Sequence, residues 1–207
     1  MIHATRMPAG VDAGALGEDL ERDAVVVAIE AVPRHVFVPP DRRMRAALDE
    51  ALPLSLQRRC PRPSAVARLL QAANERLAGR VLVIGVGSGY PAAVAAQVAE
   101  DLTAVEPDAG LRDAAAQAFE ALGAAPIAIT DAVPTRGHAW DAIVLCGAVM
   151  RAPRALVSKV VEGGRVVAPV GARGHASLQV FTRTPRGFTR DDLGAIDIEA
   201  LPHLSLD

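Results

Sequence analysis

The stretch of sequence that decides the fold is Arg80-Val81-Leu82-Val83-Ile84-Gly85-Val86-Gly87-Ser88-Gly89-Tyr90. It begins with a short, β-branched apolar run, which is typical of a buried strand, and continues with three glycines at alternate positions. Glycine lets a backbone turn tightly and approach a ligand with no Cβ atom in the way. The alanine-rich run at residues 91–100 predicts a helix directly after the turn. The stretch therefore indicates a strand, a ligand-binding turn and a helix in succession.

Strands and helices continue to alternate on the C-terminal side of this stretch. Apolar runs predict strands at residues 102–105, 126–129, 142–145 and 165–169, with helices at 109–122 and 154–161 between them. Such alternation predicts an α/β, Rossmann-like fold with a doubly wound, mostly parallel sheet. Two segments of alternating polarity, at 178–182 and 196–200, predict a C-terminal antiparallel hairpin.

The N-terminal part of the chain divides into two regions. Residues 1–14 combine proline and glycine with small residues and predict a flexible arm. Helical spacing of apolar residues predicts a helix at 15–31, which Pro33 ends, and another from Ser64, its predicted N-cap. The proline-rich residues between them are predicted to be irregular apart from a helical turn at 42–48. We therefore predict an arm at 1–14, a helical and irregular cap at 15–78, and a Rossmann-like core at 79–207.

The spacing of the glycines distinguishes between two nucleotide cofactors. A dinucleotide-binding turn needs its third glycine one position later, where this chain has Tyr90, so the spacing favours S-adenosylmethionine (SAM) over NAD. Two acids follow neighbouring predicted strands: Glu106 is placed to accept both ribose hydroxyls, and Asp131 to receive the adenine amino group. The candidate cofactor-binding residues are Gly85, Gly87, Ser88, Gly89, Tyr90, Glu106 and Asp131. A tight turn that binds no ligand is the plain alternative.

Composition and charge exclude several classes of function. The 207 residues include 22 basic and 24 acidic ones, and the arginine clusters at 42–45 and 58–62 are too short for a nucleic-acid footprint. Cys60 and Cys146 alone predict neither a disulfide framework nor a metal site. No apolar run reaches the ~18 residues of a membrane span, and no secretory signal is visible. The sequence therefore predicts a cytoplasmic protein without nucleic-acid or membrane partners.

Several motifs along the chain are very similar to those of one known family. They are Val32-Pro33-Arg34-His35-Val36-Phe37-Val38-Pro39, Leu52-Pro53-Leu54, the glycine-rich stretch, Trp140-Asp141-Ala142-Ile143-Val144 and Glu162-Gly163-Gly164-Arg165-Val166-Val167-Ala168-Pro169-Val170-Gly171. On these motifs the sequence resembles the protein-L-isoaspartate O-methyltransferases over residues 15–201. The resemblance implies a SAM-dependent carboxyl methyltransferase with a Rossmann-like core and an appended C-terminal hairpin.

The chain departs from this family at two places in the implied active site. After its leucine-proline pair the family carries glycine-glutamine-threonine-isoleucine-serine-glutamine-proline, whose hydroxyls handle the isoaspartyl carboxylate. This chain reads Gln57-Arg58-Arg59-Cys60-Pro61-Arg62-Pro63. Arg59 thus takes the threonine position, and Pro61, which has neither a hydroxyl nor an amide donor, takes the serine position. Val83 stands where the family places an acid that helps to hold the methionine ammonium group, which predicts weak or absent SAM binding.

The candidate catalytic and substrate-binding residues are Arg59, Arg62 and His35. The arginines could hold an anionic substrate, and a carboxylate nucleophile needs no general base because it is already ionised at neutral pH. By resemblance, His35 is the base for a hydroxyl or amine substrate, with a purely structural histidine as the alternative. We therefore expect a SAM-dependent O-methyltransferase that acts on a carboxylate of a small molecule or peptide in a specialised biosynthetic pathway rather than in isoaspartyl repair.

Two other functions stay open at this point. The fold could be repurposed for cyclisation or elimination on an anionic metabolite, or the chain could be the non-catalytic subunit of a heteromeric enzyme. The sequence is compatible with both homo- and hetero-oligomers. An NAD-linked reductase is the poorest fit, because Tyr90 occupies the third glycine position of the dinucleotide motif.

Overall fold

The computed structural model describes residues 23–123, 127–135 and 139–201. Its helices are α1 (Ala24–Ala31), α2 (Pro63–Gln71), α3 (Tyr90–Ala95), α4 (Ala109–Ala121) and α5 (Arg154–Val157), and 3-10 helices lie at Arg34–Phe37, Pro40–Arg45 and Asn74–Ala78. Its strands are β1 (Leu52–Pro53), β2 (Arg59–Cys60), β3 (Arg80–Ile84), β4 (Asp101–Val105), β5 (Ala128–Thr130), β6 (Trp140–Leu145), β7 (Val160–Val170), β8 (Ala176–Thr184) and β9 (Gly187–Ile196).

Seven strands form one sheet in the order β5-β4-β3-β6-β7-β8-β9, while β1 and β2 form a separate short hairpin. Strands β5, β4, β3, β6 and β7 run parallel to their neighbours, and β8 and β9 continue the sheet antiparallel. The predicted α/β, Rossmann-like architecture with a C-terminal antiparallel hairpin is confirmed. The chain order reverses on either side of β3, and in such sheets ligands bind at the carboxyl ends of the strands beside this point.

The central strand β3 explains why the glycine-rich stretch decides the fold. Residues 81–84 are completely buried, because helices and loops cover both faces of the sheet. A parallel strand buried on both faces reads as a continuous apolar run, which is what the sequence shows here. One core cluster packs α1, α2 and α3 against one face, and a second, around Trp140 and Leu156, packs against the other.

Several predicted element boundaries differ from the structure. The helix predicted at 91–100 ends at Ala95, and the helix predicted at 154–161 ends at Val157, because β7 already begins at Val160. Helix α2 begins at Pro63, whose fixed φ suits the first helical turn. The prediction of Ser64 as the N-cap is therefore wrong. Its hydroxyl and amide instead bond to the Asp49 carboxylate.

The C-terminal hairpin exists but its second strand was predicted too late in the chain. Strand β9 covers residues 187–196 rather than 196–200, and a two-residue turn at 185–186 joins it to β8. Almost all of β9 is exposed, so it lacks the alternation of apolar and polar residues that marks a half-buried strand.

The predicted arm at 1–14 lies outside the described residues, as do residues 15–22 of the first predicted helix. The rest of that helix forms α1 and ends at Ala31, before Pro33. The division of the chain at residue 79 stays a prediction. Among the described residues, no helix combines the length and apolar character needed to cross a membrane.

Candidate functional site

The glycine-rich turn lies at the carboxyl end of β3, where the fold predicts a ligand. Gly85, Gly87 and Gly89 all have positive φ angles, of 77°, 59° and 99°. At Gly89 the backbone also passes so close to α4 that a Cβ atom would lie 2.9 Å from the ring of Phe119. The turn therefore requires glycine both for its conformation and for its packing.

Glu106 follows β4 directly and is the buried acid of the site, with 0% of its surface exposed. Its Oε2 accepts a hydrogen bond of 2.7 Å from the Gly87 amide, and its Oε1 accepts one of 3.2 Å from the Asp108 amide. These bonds tie the end of β4 to the glycine-rich turn.

Arg58 completes the bonding of Glu106 and was not among the predicted site residues. Its Nη1 and Nη2 donate to Oε1 and Oε2 of Glu106, both at 2.7 Å, and Nη2 also lies 3.4 Å from the carbonyl oxygen of Gly85. Arg58 is only 8% exposed, so this is a buried, bidentate ion pair. The sequence signal that could have found it is the alternation of an extended chain: Arg58 and Cys60 point inward, and Arg59 points outward.

Two leucines cover the glycine-rich turn beside this ion pair. A Cβ atom on Gly87 would lie 3.1 Å from Cδ1 of Leu54, and one on Gly85 would overlap the side chain of Leu201. The chain's own side chains thus lie where the glycines would allow a ligand to approach.

Residues 197–201, which we call the C-terminal strap, cross the carboxyl end of β6. The amide of Ala148 donates to the carbonyl of Glu199, and the amide of Leu201 donates to the carbonyl of Ala148, each at 2.8 Å. Through these bonds the strap brings Leu201 onto the glycine-rich turn.

The two predicted substrate arginines form ion pairs with carboxylates of the strap. Arg62 pairs with Asp197. Arg59 donates to the carbonyl of Ala51 and lies 3.7 Å from Oε1 of Glu199, which also pairs with Arg173 at 2.9 Å. Both predicted arginines therefore lie on the same side of the molecule as the strap, and their role toward a substrate stays a prediction.

The remaining predicted residues have different surroundings. Asp131 is exposed and directly follows Thr130, whose carbonyl accepts the Glu106 amide at 2.9 Å, so the two predicted nucleoside acids lie on neighbouring strand ends. His35 is exposed on the 3-10 helix Arg34–Phe37. The Ser88 hydroxyl donates to the carbonyl of Phe37.

Tyr90 and Val83 both lie in the core rather than facing open space. The Tyr90 ring packs 5.9 Å from that of Phe37, and its burial raises the pKa of the phenol to about 12, against the opposing charge of Arg34. Val83 is fully buried and pairs with Ala104 and Val144 of the neighbouring strands. No carboxylate is present at this position to hold an ammonium group.

Arg34 is a second buried arginine that the sequence did not single out. It donates hydrogen bonds to five backbone carbonyls, those of Ala46, Leu48, Glu50, Cys60 and Pro61. These bonds hold the irregular segment before α2 against the 3-10 helix Arg34–Phe37. Arg34 thereby anchors the chain at Cys60 and Pro61, next to the β1–β2 turn that carries Arg58.

The cofactor predicted from the glycine spacing fits this site on one condition. The turn offers a close backbone approach, and Glu106 is a buried acceptor next to it, as a nucleoside requires. Both carboxylate oxygens are, however, already bonded to Arg58. SAM can therefore bind through Glu106 only if Arg58 leaves it.

Comparison with known proteins gives a consistent result. Residues 17–195 match the family model described as Protein-L-isoaspartate(D-aspartate) O-methyltransferase (PCMT). Proteins named Protein-L-isoaspartate O-methyltransferase from Burkholderia mallei (strain SAVP1) and Burkholderia pseudomallei (strain K96243) are each 39% identical to this chain over 172 residues. The match covers 78% of this chain but 51% of each relative, so the chain spans about half the length of the curated relatives.

Two solved structures share the fold. A protein-L-isoaspartate O-methyltransferase superposes with a TM-score of 0.75 at 22% identity, over 87% of this chain and 62% of the other. A protein-L-isoaspartate O-methyltransferase beta-aspartate methyltransferase from Plasmodium falciparum, in complex with S-adenosyl-L-homocysteine, superposes with a TM-score of 0.71 at 17% identity, over 88% and 91%. At these identities the likeness establishes the fold.

Proposed function

We propose that this chain, which belongs to the protein-L-isoaspartate O-methyltransferase family, transfers a methyl group from SAM to a carboxylate of a small molecule or peptide. The observation that carries the proposal is the pairing of a glycine-rich turn with a buried acid at the end of the next strand. Gly87 donates its amide to Glu106 at 2.7 Å, and this contact supports Glu106 as the acceptor for ribose hydroxyls beside the turn.

The cofactor half of the proposed site is formed by backbone and two acids. Gly85, Gly87 and Gly89 would let the cofactor approach the backbone, Glu106 would accept the ribose hydroxyls, and Asp131 would receive the adenine amino group. The Plasmodium falciparum relative is in complex with S-adenosyl-L-homocysteine, the product that SAM becomes after methyl transfer, and this supports SAM as the cofactor. SAM supplies the methyl group on a sulfonium centre, and the protein's contribution is to position the two reactants and to exclude water.

The substrate half is proposed to bind an anion. Arg59 and Arg62 each already bind a carboxylate, those of Glu199 and Asp197, at the edge of the site. A carboxylate substrate would exchange with these internal partners and would attack without a general base, since its ordinary pKa is about 4. A hydroxyl or amine acceptor would need a base, for which His35 stays the prediction.

An isoaspartyl residue is not the substrate that we propose, although the curated relatives carry that name. The hydroxyl expected at position 61 is absent because proline occupies it, and Arg59 replaces the other one. An arginine fork binds a carboxylate bidentately and holds it differently from two hydroxyls. A specialised biosynthetic pathway remains the setting that these two substitutions predict.

Calorimetry with SAM and S-adenosylhomocysteine tests the cofactor assignment. We expect the native protein to bind both, and Asp131→Ala to bind about tenfold more weakly, because the side chain that accepts the hydrogen bond from the adenine amino group is removed. The matched control is Asp101→Ala, which removes an exposed acid at the opposite end of β4 that pairs with Arg80. An equal loss of affinity in the two variants would contradict the assignment of Asp131.

The acceptor group is tested with SAM carrying a labelled methyl group. Methyl esters of carboxylates are hydrolysed by mild alkali and release volatile labelled methanol, whereas methylated amines and ethers keep their label. We expect alkali-labile product from carboxylate-bearing metabolites or peptides, and little turnover of an isoaspartyl peptide. Rapid methylation of the isoaspartyl peptide would instead assign the repair reaction to this chain.

The buried ion pair of Arg58 with Glu106 supports a second candidate function. Glu106 is fully bonded within the protein and Val83 supplies no acid, which is what a repurposed fold without methyl transfer would show. If neither SAM nor S-adenosylhomocysteine binds to the native protein or to a variant that lacks the Arg58 guanidinium, methyl transfer is contradicted. Cyclisation, elimination or a non-catalytic role in a heteromer would then be favoured.

A further inference from the structure

We infer that Arg58 is a gate for the nucleoside pocket: its ion pair with Glu106 and the binding of a cofactor ribose exclude each other, so the pocket opens only when the β1–β2 turn leaves. This inference rests on the proposed function and adds a regulation of the same site. It follows from the hydrogen bonds of Glu106, from the packing of the β1–β2 turn and from the exposure of the residues beside Arg58.

The bonding capacity of Glu106 is the first argument. A carboxylate offers about four acceptor positions, and here Arg58 takes two while the amides of Gly87 and Asp108 take the other two. These amides belong to the glycine-rich turn and to the segment after β4, and they hold Glu106 in place. The two ribose hydroxyls can therefore replace only the guanidinium, and because its planar fork binds both oxygens at once, it must leave as a whole.

The cost of opening is the second argument. A buried carboxylate without its partner is strongly destabilised, so Arg58 leaves Glu106 in only a small fraction of the molecules when no ligand is bound. A ribose that donates two hydroxyl hydrogen bonds would satisfy the acid again, and the freed guanidinium would reach water. The apparent affinity for the cofactor is then lowered in proportion to the small fraction of molecules in the open state.

The turn that carries Arg58 is built to move as one piece. The amides of Leu54 and Ser55 both donate to the carbonyl of Arg58, at 2.9 and 3.1 Å, which closes a tight turn. Residues 55–57 are exposed, and Leu56 is fully exposed. If the turn swings outward, Arg58 leaves Glu106 and Leu54 leaves Gly87 in the same movement.

The neighbouring Arg59 connects this turn to the C-terminal strap. Its Nε lies 3.7 Å from Glu199, two residues before Leu201, whose side chain covers Gly85. The two adjacent arginines thus face different parts of the pocket. Arg58 occupies the position of the ribose, and Arg59 contacts the strap, whose Leu201 covers the glycine-rich turn. Movement of the β1–β2 turn would remove Arg58 and Leu54 from the pocket and would loosen the contact of Arg59 with the strap.

Calorimetry with S-adenosylhomocysteine on native protein and on Arg58→Gln tests the gate. Glutamine can keep one hydrogen bond to Glu106 but cannot form the bidentate ion pair. We expect Arg58→Gln to bind at least about tenfold more tightly than the native protein, because its pocket is open more of the time. Arg45→Gln is the matched control, since it removes a surface Arg–Glu pair with Glu50 and should bind like the native protein.

The outcomes separate the gate from the proposed function. Equal or weaker binding by Arg58→Gln, with the native protein binding, overturns the gate and leaves SAM use intact. No binding by either protein overturns both.

Hydrogen exchange on the native protein decides the question if Arg58→Gln does not fold. Saturating S-adenosylhomocysteine should accelerate exchange of the Leu54 and Ser55 amides, which bond to Arg58 in the closed turn. A ligand that binds without moving the turn would slow or leave unchanged the exchange of these amides, and that result overturns the gate.

Discussion

Arg34 and Arg58 are both buried, but different partners balance their charges. Arg58 pairs with a carboxylate, whereas Arg34 donates to five backbone carbonyls at distances of 2.7 to 3.3 Å. Carbonyls that lose their donor in a buried segment are costly. We therefore expect the stability of the irregular segment before α2 to depend on the hydrogen bonds of the Arg34 guanidinium as well as on its charge.

Arg34→Lys tests this dependence. Lysine keeps the charge but has three donors on one nitrogen, so it cannot reach five carbonyls that surround a planar fork. We expect the free energy of unfolding in urea to fall by about 3 kcal/mol, as for two or more lost hydrogen bonds to a charged donor. Arg42→Lys is the control because Arg42 pairs with exposed Asp41, and a similar loss there would contradict the argument.

At the scale of residues, the sequence predicts where a residue lies along a strand or turn better than it predicts which side chains contact each other. The sequence places the glycines and Glu106 directly after β3 and β4, because the ends of the apolar runs fix their positions. Alternation along an extended chain separates Arg58 from Arg59, but it does not show which of the two faces inward. That depends on the register of the short hairpin, in which Leu52 pairs with Cys60.

At the scale of elements, the hairpin of β8 and β9 shows which strands a sequence pattern reveals and which it does not. Strand β8 was found from its alternating pattern, and its buried residues pack against β7. Strand β9 is paired along its length but exposed on both faces, so backbone hydrogen bonds form it and few buried side chains mark it. The aromatic pair of Phe181 and Phe188, with ring centroids 5.7 Å apart, adds a side-chain contact between the two strands.

Alanine substitutions in this pair should differ severalfold in their effect. Phe181 is 1% exposed and packs in the second core cluster, so Phe181→Ala should lower the free energy of unfolding by about 3–5 kcal/mol. Phe188 is 37% exposed, and Phe188→Ala should cost about 1 kcal/mol, the value of an aromatic contact at a surface. Urea unfolding of both variants measures the difference, and equal losses would show that β9 supports the core.

At the scale of the whole molecule, the architecture was predictable because it depends on patterns that repeat along the chain. Buried parallel strands read as apolar runs, and the helices between them determine that the strands are parallel. The covering of the site was not predictable, because it depends on the strap and on the β1–β2 hairpin, which reach the glycine-rich turn from distant parts of the sequence. The fold therefore follows from local patterns, and the closed state of the site from tertiary packing.

The same packing keeps three acidic groups neutral in the interior. Burial raises the pKa of Tyr90 to about 12 and that of Cys146 to about 12, and it also raises the pKa of Cys60, in each case against the charge of a nearby arginine. Their ordinary values are 10.0 for the phenol and 9.0 for the thiols. The folded protein therefore holds these protons at pH values where the unfolded chain has released them.

This difference predicts cooperative unfolding in alkali. A group whose pKa is raised by folding stabilises the protein below its unfolded pKa, and that stability is lost as the pH rises toward the folded pKa. The free energy of unfolding should therefore be constant to about pH 9 and then decline toward pH 12. The decline is at most about 4 kcal/mol per pH unit, where the folded protein holds all three protons and the unfolded chain has released them.

Tyr90 is the only tyrosine, so tyrosinate absorbance reports this one residue. We expect tyrosinate to appear together with the loss of circular dichroism, whereas the urea-unfolded chain should titrate near pH 10. Ionisation of Tyr90 near pH 10 in a protein with unchanged circular dichroism would show that the phenol is not enclosed as the structure places it.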